Sequence, residues 1–235
     1  MSKKIKIIIC SLFFTILLLL AGNHQGHTQS MGVSFSFFFP RNGSFSVPIS
    51  PFSIRGVGID LNRYVAIETG FSLYRFSGLS ITNVPFETRD PIMGPTITFL
   101  VPLELVLQVG NASQQFRIKG GLFFFYNFSN QFLYGNLDRA LRDIEDWEVL
   151  NSDFDYDNNI GWGYQLGAEY IVYVSKQFGI TMGATYFIGG TNLNMRGVYQ
   201  GGVNGSAFET VQAAYPDSKI DLTGWEISFG ALFGN

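Results

Sequence analysis

The chain has 235 residues and combines many aromatics, 16%, with few charged residues, 14%, at a net charge of −3. No basic stripe runs through it, which argues against nucleic-acid binding, and its length suits one domain rather than two. Its single cysteine, Cys10, and both histidines, His24 and His27, fall near the start, so the rest of the chain can build neither a disulfide nor a His-dependent hydrolase triad.

Residues 1–29 are expected to be a signal peptide, cleaved between 21 and 29. Lys3, Lys4 and Lys6 precede an apolar run over 7–20 that is short of the roughly 20 residues a spanning helix needs. Cys10 sits mid-run rather than at a small-residue cleavage site, which argues against a lipoprotein anchor. Losing the three lysines takes the net charge from −3 to −6. Residues 30–235 are then the single domain, with no periplasmic domain expected after Asn235.

Beyond the leader no apolar run is long enough for a helical span. A closed barrel is the other way to satisfy every backbone group across a bilayer. Period-two alternation then predicts the strands in order. In 31–39, Val33, Phe35, Phe37 and Phe39 alternate with Ser34, Ser36 and Phe38. A Pro-containing loop over 40–52 leads to a strand at 53–61, with Gly56, Gly58 and Asp60 inward, and after a turn at Asn62 to a strand at 64–76 carrying Glu68. A loop over 77–94 precedes the longest hairpin, TITFLVPLELVLQVGNASQQFRIKGGLFFFYNF, whose turn is Gly110 to Ser113. There Leu103, Leu105 and Leu107 share a face with Phe116, Ile118 and Phe124, while Glu104, Arg117 and Lys119 fall on the other.

Residues 129–159 are expected to be a long loop containing a short acidic helix at 137–150. Strands at 160–174 and 178–188 follow, joined by a tight turn at Lys176; a long polar loop covers 189–218, and a last strand spans 220–233. Long and short connections therefore alternate. The predicted fold is all-β: a membrane-spanning antiparallel up-and-down β-barrel of about eight strands in the bacterial outer membrane, with long extracellular loops, short periplasmic turns and both termini periplasmic. A soluble lipocalin-like barrel shares the alternation. Aromatics at both ends of the apolar faces, Tyr126, Trp162, Tyr164 and Tyr186 at one and Tyr64, Phe116, Phe178 and Phe233 at the other, favour two membrane interfaces.

The inward face also carries Glu68, Glu104, Arg117, Lys119, Glu169 and Glu226. An eight-stranded barrel is just filled by side chains, so these six are expected to form an internal charge network, with Arg117 and Lys119 neutralised by Glu104 across the hairpin and by Glu169 on the next strand. Phe38, Phe123 and Phe125 are expected to plug the lumen. Asp153, Asp155 and Asp157 are spaced like the start of an EF-hand Ca²⁺ loop, but Asn158 replaces its Gly and Tyr164 its Glu; a solvated acidic loop is the favoured reading. No cofactor is expected.

The segments LVPLELVLQ, FRIKGGLFFFYNF, GWGYQLGAEYIV, FGITMGATYFIGGTNLN and GWEISFGALF together resemble the PorT-like small outer-membrane barrels of Bacteroidota, over most of 31–233. Many bacterial barrels end on the aromatic of the last strand, whereas Gly234 and Asn235 follow Phe233 here. The resemblance implies an outer-membrane protein, and some members of the family serve type IX secretion. The sequence is thus read as a non-enzymatic structural or accessory subunit of an envelope complex. It contacts outer-membrane lipid and another outer-membrane or secretion-complex protein, with the acidic loop over 138–157 as the expected contact. A narrow pore or hydrophobic-ligand transport barrel is the alternative.

Overall fold

A computed structural model describes residues 31–43, 46–86, 90–128 and 130–234 of the chain. The expected signal peptide lies outside the described residues. In chain order the elements are β1 (Met31–Pro40), β2 (Ser46–Asn62), β3 (Val65–Phe76), β4 (Ile81–Thr82), β5 (Thr96–Gly110), β6 (Gln114–Phe128), α1 (Tyr134–Glu145), β7 (Val149–Asp155), β8 (Gly161–Ser175), β9 (Phe178–Asn192), β10 (Met195–Gly202), β11 (Glu209–Tyr215), β12 (Lys219–Asp221) and β13 (Gly224–Phe233).

Eight strands run β13-β1-β2-β3-β5-β6-β8-β9, and a further β9–β13 pairing closes the ring. Every neighbouring pair is antiparallel. The closing strand pairs without interruption from Met31↔Phe233 to Pro40↔Gly224, so the ring leaves no open edge at the first and last strands. Two of the three short connections are turns set by asparagine: Asn62 Oδ1 accepts the N–H groups of Tyr64 and Val65 at 2.8 and 3.0 Å, and Asn111 Oδ1 those of Ser113 and Gln114 at 2.9 and 3.0 Å. Each side chain replaces backbone partners that a two-residue reversal cannot supply.

Alternation sorts the side chains across the wall. Leu103, Leu105, Leu107, Phe116, Ile118 and Phe124 point outward and are exposed, while Leu100, Glu104, Val106, Arg117, Lys119 and Phe123 point inward and are buried. β5, β6, β8 and β9 have 15 residues each. At about 3.3 Å per residue and a tilt near 40° these rise roughly 38 Å, more than the ~25 Å apolar band of a membrane barrel. They are long enough to cross it and still carry the upper, long-loop connections of the wall.

The structure differs from the sequence reading mainly in that upper region. β2 starts at Ser46, well before residue 53. The helix occupies Tyr134–Glu145 rather than 137–150, because Asp146 takes a left-handed conformation (φ 53°, ψ 39°) and ends it, its N–H bonding back to the Arg142 carbonyl. The expected loop over 189–218 instead extends β9 and then forms a hairpin, and β10 pairs with β11 on one side and β7 on the other. This three-stranded sheet and α1 make a folded cap. Leu137, Leu141, Leu150, Phe154, Met195 and Tyr199 turn inward and join the buried cluster that continues into the barrel.

Candidate functional site

Two things fill the barrel. Toward the long loops, Phe38, Tyr74, Phe76, Phe123, Phe125 and Phe187 are all at most 2% exposed. Phe38 meets Tyr74, Phe76 and Phe187 at centroid distances of 5.8, 5.6 and 5.4 Å, and Phe123 meets Phe187 edge-on at 4.9 Å. Rings on β1, β3, β6 and β9 thus meet across the lumen and occupy its width.

Toward the tight turns lie the charges. Arg117 sits directly opposite Glu169 on β8, and its Nη1 donates to Glu169 Oε2 at 2.9 Å, while Nη2 donates to Glu68. Lys119 Nζ reaches Glu169 Oε2 at 2.8 Å and Glu68 Oε2 at 3.9 Å. Two cations therefore share two carboxylates contributed by β3 and β8.

Glu104 was expected to share in this group but does not. The register places it opposite Gly121 and Glu68, and it accepts a hydrogen bond from Gln165 Nε2 at 2.9 Å. Lys119 turns instead to the carboxylate on β8.

Glu226 is held by a residue the sequence reading missed. Arg55 Nη2 contacts both of its carboxylate oxygens at 2.8 Å and donates to Ser72 Oγ at 2.9 Å. The Tyr74 hydroxyl also donates to Glu226. Counted back from Gly58 and Gly56, strict alternation points Arg55 toward lipid. A bulge between Ile54 and Val57 adds one residue on β2, and Gly56 takes it up at φ 74°, a value glycine adopts without strain. The signal that could have found Arg55 is the cost of the alternative: an arginine on the lipid face near mid-membrane costs about 2–4 kcal/mol.

The described buried interior thus holds Arg55, Arg117 and Lys119 against Glu68, Glu104, Glu169 and Glu226. A cavity of about 350 Å³ opens at the tight-turn end, walled by Asp60, Gln108, Gln115, Tyr173 and Lys176, and its inner end reaches Arg117 and Glu68. Beyond that point lie the charge cluster and then the rings.

The EF-hand-like aspartates are arranged differently from a calcium loop. Asp153 and Asp155 lie on β7, opposite Val198 and Arg196, and an extended strand cannot curl three alternate carboxylates around one ion. Asp157 accepts from Asn194 Nδ2 at 3.0 Å and from Arg196 at 3.4 Å. These partners hold its carboxyl below the usual carboxylate range. Among the described residues no three His, Cys, Asp or Glu side chains are grouped to hold a metal.

A closed antiparallel ring, apolar outside and filled inside, defines a membrane-spanning β-barrel with an occluded lumen. No known family matches the sequence, and no curated protein is similar to it. In structure the chain is similar to the outer membrane protein OprG from Pseudomonas aeruginosa, at 8% identity over 91% of this chain and 98% of that one, with a TM-score of 0.48. It is also similar to a major outer membrane protein from Thermus thermophilus (10% identity, 89% of this chain and 100% of that one, TM-score 0.45). A third is Ail, the attachment invasion locus protein of Yersinia pestis (12%, 89% and 100%, TM-score 0.36). At such identities and scores these likenesses add nothing to the strand pairing described above.

Proposed function

We propose that this protein is a non-enzymatic, non-conducting barrel of the bacterial outer membrane that serves as a structural or accessory subunit of an envelope complex. On this reading residues 1–29 direct export, the tight turns and both termini face the periplasm, and the cap faces outward as the surface a partner grips. The observation that carries it is the occluded lumen beneath a folded cap: rings close the width of the barrel, leaving the cap as the developed surface. Residues 130–159 and 193–223, which build the cap, carry eleven Asp and Glu against four Lys and Arg. A surface of that charge suits a basic partner face and speeds encounter with it. The PorT-like likeness of the strands directs the search for the partner toward a protein secretion or assembly machine.

The test is recovery of the tagged protein from native outer membranes in mild detergent, beside conductance in planar bilayers. Silent bilayers and a stoichiometric partner, lost when Asp143, Asp153 and Asp155 are changed to Lys, support the subunit reading. A clean monomer that conducts would replace it with the transport alternative.

A further inference from the structure

The outer wall at the long-loop rim changes character over three stacked rows of side chains. Directly paired residues of an antiparallel sheet share a face, and alternate residues along a strand stay on it. Tyr164 pairs with Ile188; two residues higher Trp162 pairs with Gly190, which pairs with Asp221; two higher again Asn192 pairs with Lys219, which pairs with Thr82. Trp162, Tyr164 and Ile188 are each more than half exposed on the lipid-facing wall. The same outward face therefore climbs from aromatic and aliphatic, through Trp and Asp, to Asn, Lys and Thr within about 13 Å.

The upper two rows and Ile188, with Asn83 and Asn159, line a groove of about 630 Å³, and Tyr164 lies on the wall below it. Lys219 is exposed, and among the described residues its ammonium has no carboxylate within ion-pair distance. Asp221 is already engaged: Oδ2 accepts from Asn42 Nδ2 and Oδ1 from the Thr223 N–H, each at 2.9 Å. Its remaining lone pairs can take hydroxyl donors.

We propose that this groove binds the phosphorylated sugar headgroup of a membrane glycolipid. The Lys219 ammonium meets the phosphate. Asn83, Asn192, Thr82 and the free lone pairs of Asp221 take sugar hydroxyls, and the Trp162 ring packs against the acyl-bearing sugar at the level where an indole sits in a bilayer interface. The acyl chains run down over Ile188 and Tyr164. A free sugar phosphate would find the cation and the amides but not the apolar rows beneath them, which is why the lipid is the occupant. The inference rests on membrane insertion and is independent of the docking partner.

The test uses the full-length protein in phosphatidylcholine nanodiscs doped with diphosphoryl lipid A or with phosphatidylglycerol, and native mass spectrometry of the released barrel. The expected result is one retained lipid A per barrel in preference to phosphatidylglycerol. Retention should fall about tenfold in Lys219→Gln, the size of one charge-assisted hydrogen bond, and further in Lys219→Glu. Lys176→Gln, at the opposite end, should retain lipid A like the parent. Heat-modifiable gel mobility of each variant shows that the barrel is intact. Equal retention of phosphatidylglycerol, retention unchanged in Lys219→Gln, or displacement by millimolar inorganic phosphate would each overturn the proposal. Failure of the parent to enter the discs would overturn membrane insertion as well, which separates the two.

Discussion

Replacing Arg117 with Met keeps most of its volume and removes its charge, which isolates the electrostatic role of the lumen cluster. In the parent, Glu68 and Glu169 are shared between Arg117 and Lys119, with Arg117 Nη1 2.9 Å from Glu169 and Lys119 Nζ 2.8 Å from the same oxygen. In Arg117→Met the two carboxylates keep one cation, and Lys119 lies 3.9 Å from Glu68, so Glu68 is left with its weaker contact. Removing one partner of a buried pair costs about 3–5 kcal/mol. Because Lys119 still neutralises Glu169, the expected loss lies near the lower end of that range. Reversible urea unfolding of the barrel in detergent or thin bilayers, followed by gel mobility and tryptophan emission, measures it. Adding Glu68→Gln should restore at least about 1 kcal/mol, a coupling typical of contacting residues. A loss under about 0.5 kcal/mol, the scatter of surface substitutions, would mean that water entering from the tight-turn cavity already solvates these groups, and would refute the network as a source of stability.

Arg55→Met should cost a similar ~3–5 kcal/mol, since it leaves the buried Glu226 carboxylate with Tyr74 as its remaining hydrogen-bond donor; the double variant with Glu226→Gln should recover much of it, and equal losses in single and double variants would sink that reading. Phe123→Ala should destabilise by about 3–5 kcal/mol through the cavity it leaves, while the combined Phe38→Ala, Phe123→Ala and Phe187→Ala variant should turn silent bilayers into conducting ones. The cap should loosen in alkali. Burial, reinforced by its hydrogen bond to Glu145, pushes the Tyr199 hydroxyl above its usual value. The unfolded cap would then ionise first, so this contribution is complete below about pH 10 and drains away above it. Emission from Trp147, whose ring lies 5.8 Å from that of Tyr199, reports the change in a background lacking Trp162 and Trp225. Tyr199→Phe should shift the transition upward, and an unchanged transition would count against the assignment.

The eight wall strands were legible because a bilayer outside and a packed lumen inside impose opposite polarities on alternate residues, as in Leu103 to Gln108. Asn62 and Asn111 marked the tight turns by a side-chain geometry that sequence displays directly. Arg55 was illegible because a single inserted residue reverses every inward assignment before it. The position of Glu104 depended on exact strand register, which alternation does not specify. The cap was missed for another reason: Leu150, Ser152 and Phe154 do alternate with Asn151, Asp153 and Asp155, but the exposed side is so acidic, and the hairpin of β10 and β11 so polar, that the stretch looks like solvated loop. The apolar side of that sheet is recognisable once Leu137, Leu141 and Tyr199 are seen beneath it.

The pairing of β10 with β7 also makes the cap a long-range structure that straddles two wall strands. Arg196 pairs with Asp155 and Gly202 with Val149, so the central strand of the cap is made only after β8 and β9, which lie between the two in sequence, have been synthesised. β7 therefore gains its β10 partner only when the segments on both sides of the β8–β9 hairpin have come together. A protease site placed in β7 should accordingly be cut in chains whose cap is unformed and protected in the folded protein.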